Sequence, residues 1–200
     1  MPSGANRLIG KKVETDLKVE QDFAQMNYEK LVANMPVQIS QREEKAFERI
    51  TKAKLNPSRK LESLYKMMDE MYQYVQGFTP CRKGCAGCCH IAVTVSEVEI
   101  RHIERVTKNK RLKVPLPRER FHGKPCVFLN EGKCSIYTAR PYVCRRHTAL
   151  TKTSHWCDPS RSLEASLPLL KFSSFQSAFE HIRLEDGNKF TSDIRQVFSK

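Results

Sequence analysis

The chain has 200 residues, of which 40% are hydrophobic, and it carries a formal net charge of +13. A chain of this size can bury most of its apolar surface, so we expect a globular protein. No run approaches the ~20 apolar residues of a membrane-spanning helix, and the first residues lack the apolar stretch of a signal peptide. We therefore expect a cytoplasmic protein without a membrane partner.

The first third of the chain has the pattern of helices. Ser40 is a candidate cap for a helix that runs to about Lys54, and Ser58 is a candidate cap for the next helix. Apolar residues of that next helix recur at three- and four-residue steps. They are Leu61, Leu64, Met68, Met71, Tyr72 and Val75. We interpret this stripe as a packing face, and the helices as a possible surface for a protein partner.

Four thiols follow within nine residues, in the run CRKGCAGCCH over residues 81–90. Cys85 and Cys88 have the two-residue gap that lets a tight turn aim both sulfurs at one metal ion. Gly84 and Gly87 permit the unusual backbone angles of such a turn. This run is the densest candidate for metal chemistry.

The next segment predicts a strand, a helix and a loop. Residues 90–95 predict a short strand, and the capping-box pattern of Ser96 and Glu99 predicts the start of a helix. The apolar residues expected on its buried side are Val98, Ile103 and Val106. Residues 108–125 are basic and interrupted by three prolines, so they predict a loop.

The remaining four cysteines are spread over residues 126–157, and one helical pattern follows them. Phe172, Phe175, Phe179 and Ile182 predict an amphipathic helix, whereas the tail after Gly187 has no informative pattern. The predicted fold is mainly α, with N-terminal helices and an irregular, metal-stabilised, cysteine-rich core with little strand. We divide the chain into a helical N-terminal region (1–76), a cysteine-cluster metal-binding domain (77–160) and a C-terminal helix and tail (161–200).

Cytoplasmic reductants keep ordinary thiols from pairing, so metal ligation is the leading interpretation of the cysteines. The even number also permits a disulfide framework, but the adjacent Cys88 and Cys89 argue against one. We expect all eight to be ligands of iron, alone or as a 4Fe-4S cluster, or of zinc. They are Cys81, Cys85, Cys88, Cys89, Cys126, Cys134, Cys144 and Cys157. Spacing alone leaves open which of them share a site, and whether His90, His147 or His155 replaces a sulfur.

These motifs resemble a known family. Cx3Cx2CC, Pro-Cys-x-Phe-Leu, Cys-Ser-Ile-Tyr-x-x-Arg-Pro-x-x-Cys-Arg and a final cysteine are similar to the YkgJ-type cysteine-cluster family, a zinc- or iron-chelating domain. The resemblance covers about residues 81–157 and includes all eight cysteines. It implies metal binding without a settled reaction.

The basic residues are concentrated where the thiols are. Residues 81–157 hold 16 Lys and Arg against 5 Asp and Glu, a surplus of +11. We favour the interpretation that these cations lower the pKa of the thiols and stabilise the ligated form. Arg140, Arg145 and Arg146 flank Cys144 closely enough to act on it or to form ordinary salt bridges.

Three classes of function follow from these patterns. A metal- or iron-sulfur-binding protein accounts for every cysteine. A zinc-stabilised nucleic-acid-binding module would use the basic surplus, but no recognition motif accompanies it. A cluster-dependent enzyme is the third class, because the cysteine pattern is similar to that of the flagellin lysine methylase. The Cys81-x3-Cys85-x2-Cys88 spacing is also similar to radical S-adenosylmethionine enzymes, although Gly87 stands where those usually have an aromatic residue.

Overall fold

The computed structural model describes residues 4–82, 84–162, 167 and 169–199, with side chains from residue 16 onward. Helices dominate this part of the chain, which confirms the mainly α prediction. The α-helices are α1 (Gly4–Ala33), α2 (Val37–Glu44), α3 (Ala46–Lys52), α4 (Pro57–Val75), α5 (Glu97–Thr107), α6 (Tyr142–Arg146), α7 (Ser173–Glu185) and α8 (Ile194–Val197). None of the helices in the described ranges is long and apolar enough to cross a membrane. The division of the chain into three segments stays a prediction.

The strands in the described part of the chain are short and form two antiparallel pairs. They are β1 (Thr94–Ser96), β2 (Leu129–Asn130), β3 (Lys133–Cys134) and β4 (Thr191–Asp193). β1 pairs with β4, with Val95 opposite Ser192, and β2 pairs with β3, with Leu129 opposite Cys134. The first pair therefore joins the cysteine-rich segment to the C-terminal tail.

The predicted starts of the first two helical segments were wrong. α2 begins at Val37 after Pro36, and Ser40 lies inside it, where its hydroxyl donates to Glu44. The chain leaves helical geometry at Lys45 before α3 begins. This break turns Ala46 and Ile50 into the core, whereas α2 buries no residue. A single helix from Ser40 could not present both faces in this way.

The cap of α4 was also misplaced, but its buried face was predicted correctly. The side chain of Asn56, not of Ser58, accepts a hydrogen bond from the Arg59 amide at 3.0 Å, and Pro57 occupies the first turn. The predicted stripe is buried except for Tyr72, which is half-buried. α4 packs against α2, α3, α5 and α7, so it is the central helix of the fold.

The predictions for residues 90–125 were partly correct. The strand covers Thr94–Ser96, and His90 belongs instead to the Gly87–His90 3-10 turn. The Ser96–Glu99 capping box of α5 is confirmed, and Val98 and Ile103 are buried, but Val106 is 45% exposed. Residues 108–125 form no helix or strand, as predicted.

Two apolar clusters stabilise the described chain. The first lies around α4 and includes buried residues of α1, α3, α5, α6 and α7, but no cysteine. The predicted phenylalanine helix belongs to it, with Phe175 and Phe179 buried on α7. The second cluster lies around Phe128 and Phe198, whose rings are 5.3 Å apart, and it includes Cys126. Cysteine side chains thus belong to only one of the two clusters.

Candidate metal centre

Seven of the eight cysteines line one cavity of about 600 Å³. They are Cys81, Cys85, Cys88, Cys89, Cys126, Cys134 and Cys144. Cys126 is buried and the other six are half-buried, and every one of the eight cysteines is a free thiol. The fold therefore brings together two cysteine runs, although 36 residues separate Cys89 from Cys126 in the sequence.

Tight backbone turns place the first run. The Cys85 amide donates to the Arg82 carbonyl at 2.9 Å, and the Cys89 amide donates to the Ala86 carbonyl at 2.9 Å. Gly84, inside the first of these turns, has a φ of +96°, a conformation that side chains disfavour. The glycine predicted to permit an unusual turn does so at this position.

Cys157 lies against this turn rather than on the cavity wall. A β-carbon at Gly87 would lie 2.7 Å from the Cys157 carbonyl oxygen and 3.0 Å from its β-carbon. Gly87 stands between Cys85 and Cys88, so the missing side chain lets the final cysteine approach the first run. The role of Gly87 is close approach, since its φ is not positive.

Short elements place the second run. The Cys126 amide donates to the Cys89 carbonyl at 2.7 Å, a direct bond between the two runs. Cys134 ends the β2–β3 hairpin. Cys144 lies on α6, which begins after Pro141 and whose Cys144 amide donates to the Pro141 carbonyl at 3.0 Å. Pro141 is the N-cap residue of α6, and its ring fixes its φ, which is −57°.

Glu99 fixes the start of α6, a role that the sequence showed only as a helix cap. Its buried carboxylate accepts from the Tyr142 amide at 2.7 Å, the Tyr65 hydroxyl at 3.1 Å and the Ser96 amide at 2.8 Å. Burial raises the pKa of Glu99, and these donors partly offset the effect by stabilising the charged form. The carboxylate therefore ties α4, α5 and α6 together beside Cys144.

The three arginines around Cys144 have different roles. Arg145 is buried, donates to the carbonyls of Arg140 (2.9 Å) and Thr138 (2.6 Å), pairs with Asp69 and lies 4.1 Å from the Tyr65 ring centroid. The Arg145–Asp69 ion pair is therefore structural. Arg146 is exposed. Arg140 lines the cavity with its guanidinium 3.7 Å from the centroid of an aromatic ring, that of Tyr137.

We expected nearby cations to lower the pKa of the thiols. The pKa is instead raised at several cysteines, and burial is a main cause. Burial is the main cause for Cys126, Cys134 and Cys144, and Arg140 only partly opposes it at the last two. A hydrogen bond with Cys89, followed by burial, raises the pKa of Cys88. Burial and then the nearby thiols of the first run raise the pKa of Cys157 to about 12. A metal must therefore displace protons from these thiols when it binds.

Several basic residues of this segment form ordinary ion pairs, and three of them, Arg101, Arg105 and Arg145, take acidic partners from outside residues 81–157. Arg111 pairs with Glu97 at 2.8 Å and Glu104 at 2.7 Å, and Lys124 pairs with Glu119 at 2.5 Å. Among the described residues, the cations that line the cavity are Arg82, Lys133 and Arg140. The expected link between the charge surplus and the thiols therefore holds for only part of the surplus.

Arg195 joins the tail to both cysteine runs, and nothing in the sequence pointed to it. Its guanidinium donates to the carbonyls of Cys89 (3.1 Å), Ile91 (3.0 Å), Lys124 (2.9 Å) and Pro125 (3.1 Å). It also pairs with both carboxylate oxygens of Asp193 at 3.0 and 3.1 Å. One buried fork thus holds the backbone next to Cys89 and Cys126. A signal in sequence was absent because its partners are main-chain carbonyls.

The candidate histidines lie outside the thiol-lined cavity, which has no histidine among its described lining residues. Nδ1 of His90 lies 3.1 Å from the Ala86 carbonyl oxygen. The His155 ring packs edge-on against Trp156, with centroids 5.4 Å apart. Burial lowers the pKa of His147. His90 and His155 therefore lie apart from the cavity that the seven thiols line, but both line a second cavity that Cys85 also borders.

The donor set suits a soft or borderline metal, although its side chains are not yet arranged as a coordination sphere. In the described ranges, no three Cys, His, Asp or Glu side chains are grouped so that they could hold an ion as they stand. The thiols fit zinc or iron in chemistry, because thiolate is a strong ligand for both. Binding therefore has to draw the sulfurs together across the cavity.

Comparison with known proteins gives a family match in the central segment. Residues 80–159 match the CxxCxxCC family, described as "Putative zinc- or iron-chelating domain". The match supports the resemblance to a zinc- or iron-chelating domain that the cysteine motifs indicated, and the matched residues include all eight cysteines. Neither a curated protein nor a solved structure gives a significant match.

Proposed function

From the match of residues 80–159 to a zinc- or iron-chelating family, we propose that the chain binds one of these metals through its eight cysteines. The observation that carries the proposal is the shared cavity, which seven thiols from two distant runs line. The eighth cysteine, Cys157, lies against Gly87, between Cys85 and Cys88. Surface cysteines without a common role would not be gathered in this way.

The surroundings of the thiols support metal binding. Val93, Phe128, Ile136 and Ile194 provide an apolar wall, which limits the access of water to a bound ion. Arg82, Lys133 and Arg140 offset part of the negative charge that thiolates bring. When bound, zinc would stabilise the fold, and iron, alone or as a 4Fe-4S cluster, could also carry electrons.

The free thiols support a reducing compartment, and we propose that the protein works in the cytoplasm. The protein partner of the N-terminal helices, the nucleic-acid interaction and the methylase activity stay predictions.

Anaerobic purification followed by elemental analysis, sulfide analysis and an absorption spectrum tests the proposal. Zinc without colour, or iron with or without acid-labile sulfide, would identify the group. Serine variants of Cys85, Cys88, Cys126 and Cys144 should each lower the metal content, because a neutral hydroxyl is a poor ligand for these ions.

Asparagine variants of His90 and His155 are the matched controls, and they should keep their metal. Full metal content in all four serine variants, or loss only in the histidine variants, would overturn the proposal.

A further inference from the structure

We propose that the eight thiols form two four-sulfur sites, each of which takes ligands from both cysteine runs. The first, the turn site, consists of Cys81, Cys85, Cys88 and Cys157. The second, the core site, consists of Cys89, Cys126, Cys134 and Cys144. The inference rests on the proposed function and adds a division of the ligands that differs from the order along the chain.

The second apolar cluster selects the members of the core site. Cys126 is one of its buried residues, and Cys89, Cys134 and Cys144 pack against it. None of the four turn-site cysteines is among the described residues of that cluster. A common packing surface therefore separates one set of four thiols from the other.

The backbone supports the same grouping. The 2.7 Å bond from the Cys126 amide to the Cys89 carbonyl fixes these two residues next to each other. Arg195 binds the Cys89 carbonyl and the Pro125 carbonyl with one guanidinium. Cys89 is thus held to the second run, although it belongs to the first run in sequence.

Contacts around Gly87 select the members of the turn site. The close approach of Cys157 to Gly87 places the final cysteine against the turn that carries Cys85 and Cys88. Cys157 is therefore held to the first run, although it is the last cysteine in sequence.

The local geometry explains how the neighbours Cys88 and Cys89 serve different sites. Both lie in the Gly87–His90 3-10 turn, where successive backbone positions project about 120° apart. The hydrogen bond that joins the two thiols therefore has to break when each of them binds its own site. Two tetrahedral four-sulfur sites also use all eight thiols, with four ligands for each ion or cluster.

The competing division follows the sequence, with the first four cysteines in one site and the last four in the other. The two divisions differ only by the exchange of Cys89 and Cys157. Pairs of serine substitutions that contain one of these residues therefore give opposite results under the two divisions.

The test measures Zn²⁺ and Co²⁺ bound per chain by the metal-free full-length protein and its double variants. We expect two ions on the unaltered chain. Cys89→Ser with Cys126→Ser, and Cys81→Ser with Cys157→Ser, should each lose one site and keep the other. Cys81→Ser with Cys89→Ser, and Cys126→Ser with Cys157→Ser, should lose both.

Single variants provide a measurement that does not depend on the folding of double variants. In the Zn²⁺-loaded Cys157→Ser protein, thiol alkylation mapped by mass spectrometry should modify Cys81, Cys85 and Cys88 and spare the core site. The far-UV circular dichroism spectrum should be preserved, because the first apolar cluster contains no cysteine.

The outcomes separate this inference from the proposed function. The reversed double-variant pattern, alkylation of the core-site thiols instead, or one bound ion per unaltered chain would overturn the two interleaved sites and leave metal binding intact. A chain that takes up neither ion under anaerobic conditions, and is purified without iron, would overturn both.

Discussion

Gly87→Ala should weaken metal binding, because the added methyl group would push Cys157 away from the first cysteine run. The new β-carbon would lie 2.7 Å from the Cys157 carbonyl oxygen, and ordinary contacts begin at 3.4 Å, so one side must move by about 0.7 Å. Metal–ligand distances tolerate about 0.2 Å, so a shift of this size removes Cys157 from a common coordination sphere unless other groups adjust.

The size of the effect follows from the usual energy of overpacking, about 1–3 kcal/mol. Without metal, Cys157 can relax outward and much of this strain is relieved. The metal pulls it back, so the strain reappears as lost affinity of about 5- to 150-fold in Kd. The assay is a Zn²⁺ competition titration against a chromophoric chelator.

Gly77 serves as the matched control, whereas Gly84, which lies in the first cysteine run, does not. A β-carbon at Gly77 would meet nothing within 4 Å, and its φ is not positive, so Gly77→Ala should leave the affinity unchanged. Gly84→Ala also meets nothing, but its φ of +96° adds backbone strain of about 1–3 kcal/mol. Equal affinities of the Gly87→Ala and Gly77→Ala proteins would refute the close-approach argument.

Three further predictions follow from the buried polar groups and the two clusters. Arg195→Lys should lower the free energy of unfolding by about 2–4 kcal/mol, since the carbonyl groups that Arg195 binds lose their donors. The same substitution should alter the Co²⁺ spectrum of the core site alone. Arg183→Lys is the surface control, and an unchanged spectrum of the Arg195→Lys protein would contradict the positioning role. Burial and then Arg105 lower the pKa of His102 from 6.5, so below that pH the unfolded chain takes up a proton that the folded chain resists, and stability falls. His102→Gln should flatten this fall in urea titrations at several pH values, and His181→Gln should not. Metal removal should preserve most of the far-UV helical signal, because the first cluster contains no cysteine; complete loss of that signal would contradict this.

The sequence was most informative where a local pattern determines the structure. The α4 stripe and the Ser96–Glu99 capping box each depend on neighbours three or four residues apart, and both were recognised. The helix caps at Ser40 and Ser58 were wrong because serine is only one of several residues that can cap a helix. Pro36 and Asn56 precede the actual first turns.

The parts of the site that the sequence did not reveal depend on contacts between distant segments. β4 has only three residues and is recognisable through its pairing with β1, about a hundred residues earlier in the chain. Arg195 binds carbonyl groups, which every residue has, so its partners leave no trace in the sequence. The exchange of Cys89 and Cys157 between the two proposed sites likewise depends on packing around Phe128 and Gly87.

The two proposed sites have different surroundings, which predicts the order in which they release metal. The core site packs against the second apolar cluster, whereas a second cavity of about 680 Å³, lined by His155, Asp158 and Arg161, reaches the turn site at Cys85. A polar, open approach admits water and a chelator, and an apolar shell restricts them. A Zn²⁺-loaded chain challenged with excess chelator should therefore release its ions in two phases, with the turn site first. Alkylation of the turn-site thiols should accompany the fast phase, and alkylation of Cys126 in that phase would show that the apolar cluster does not protect the core site.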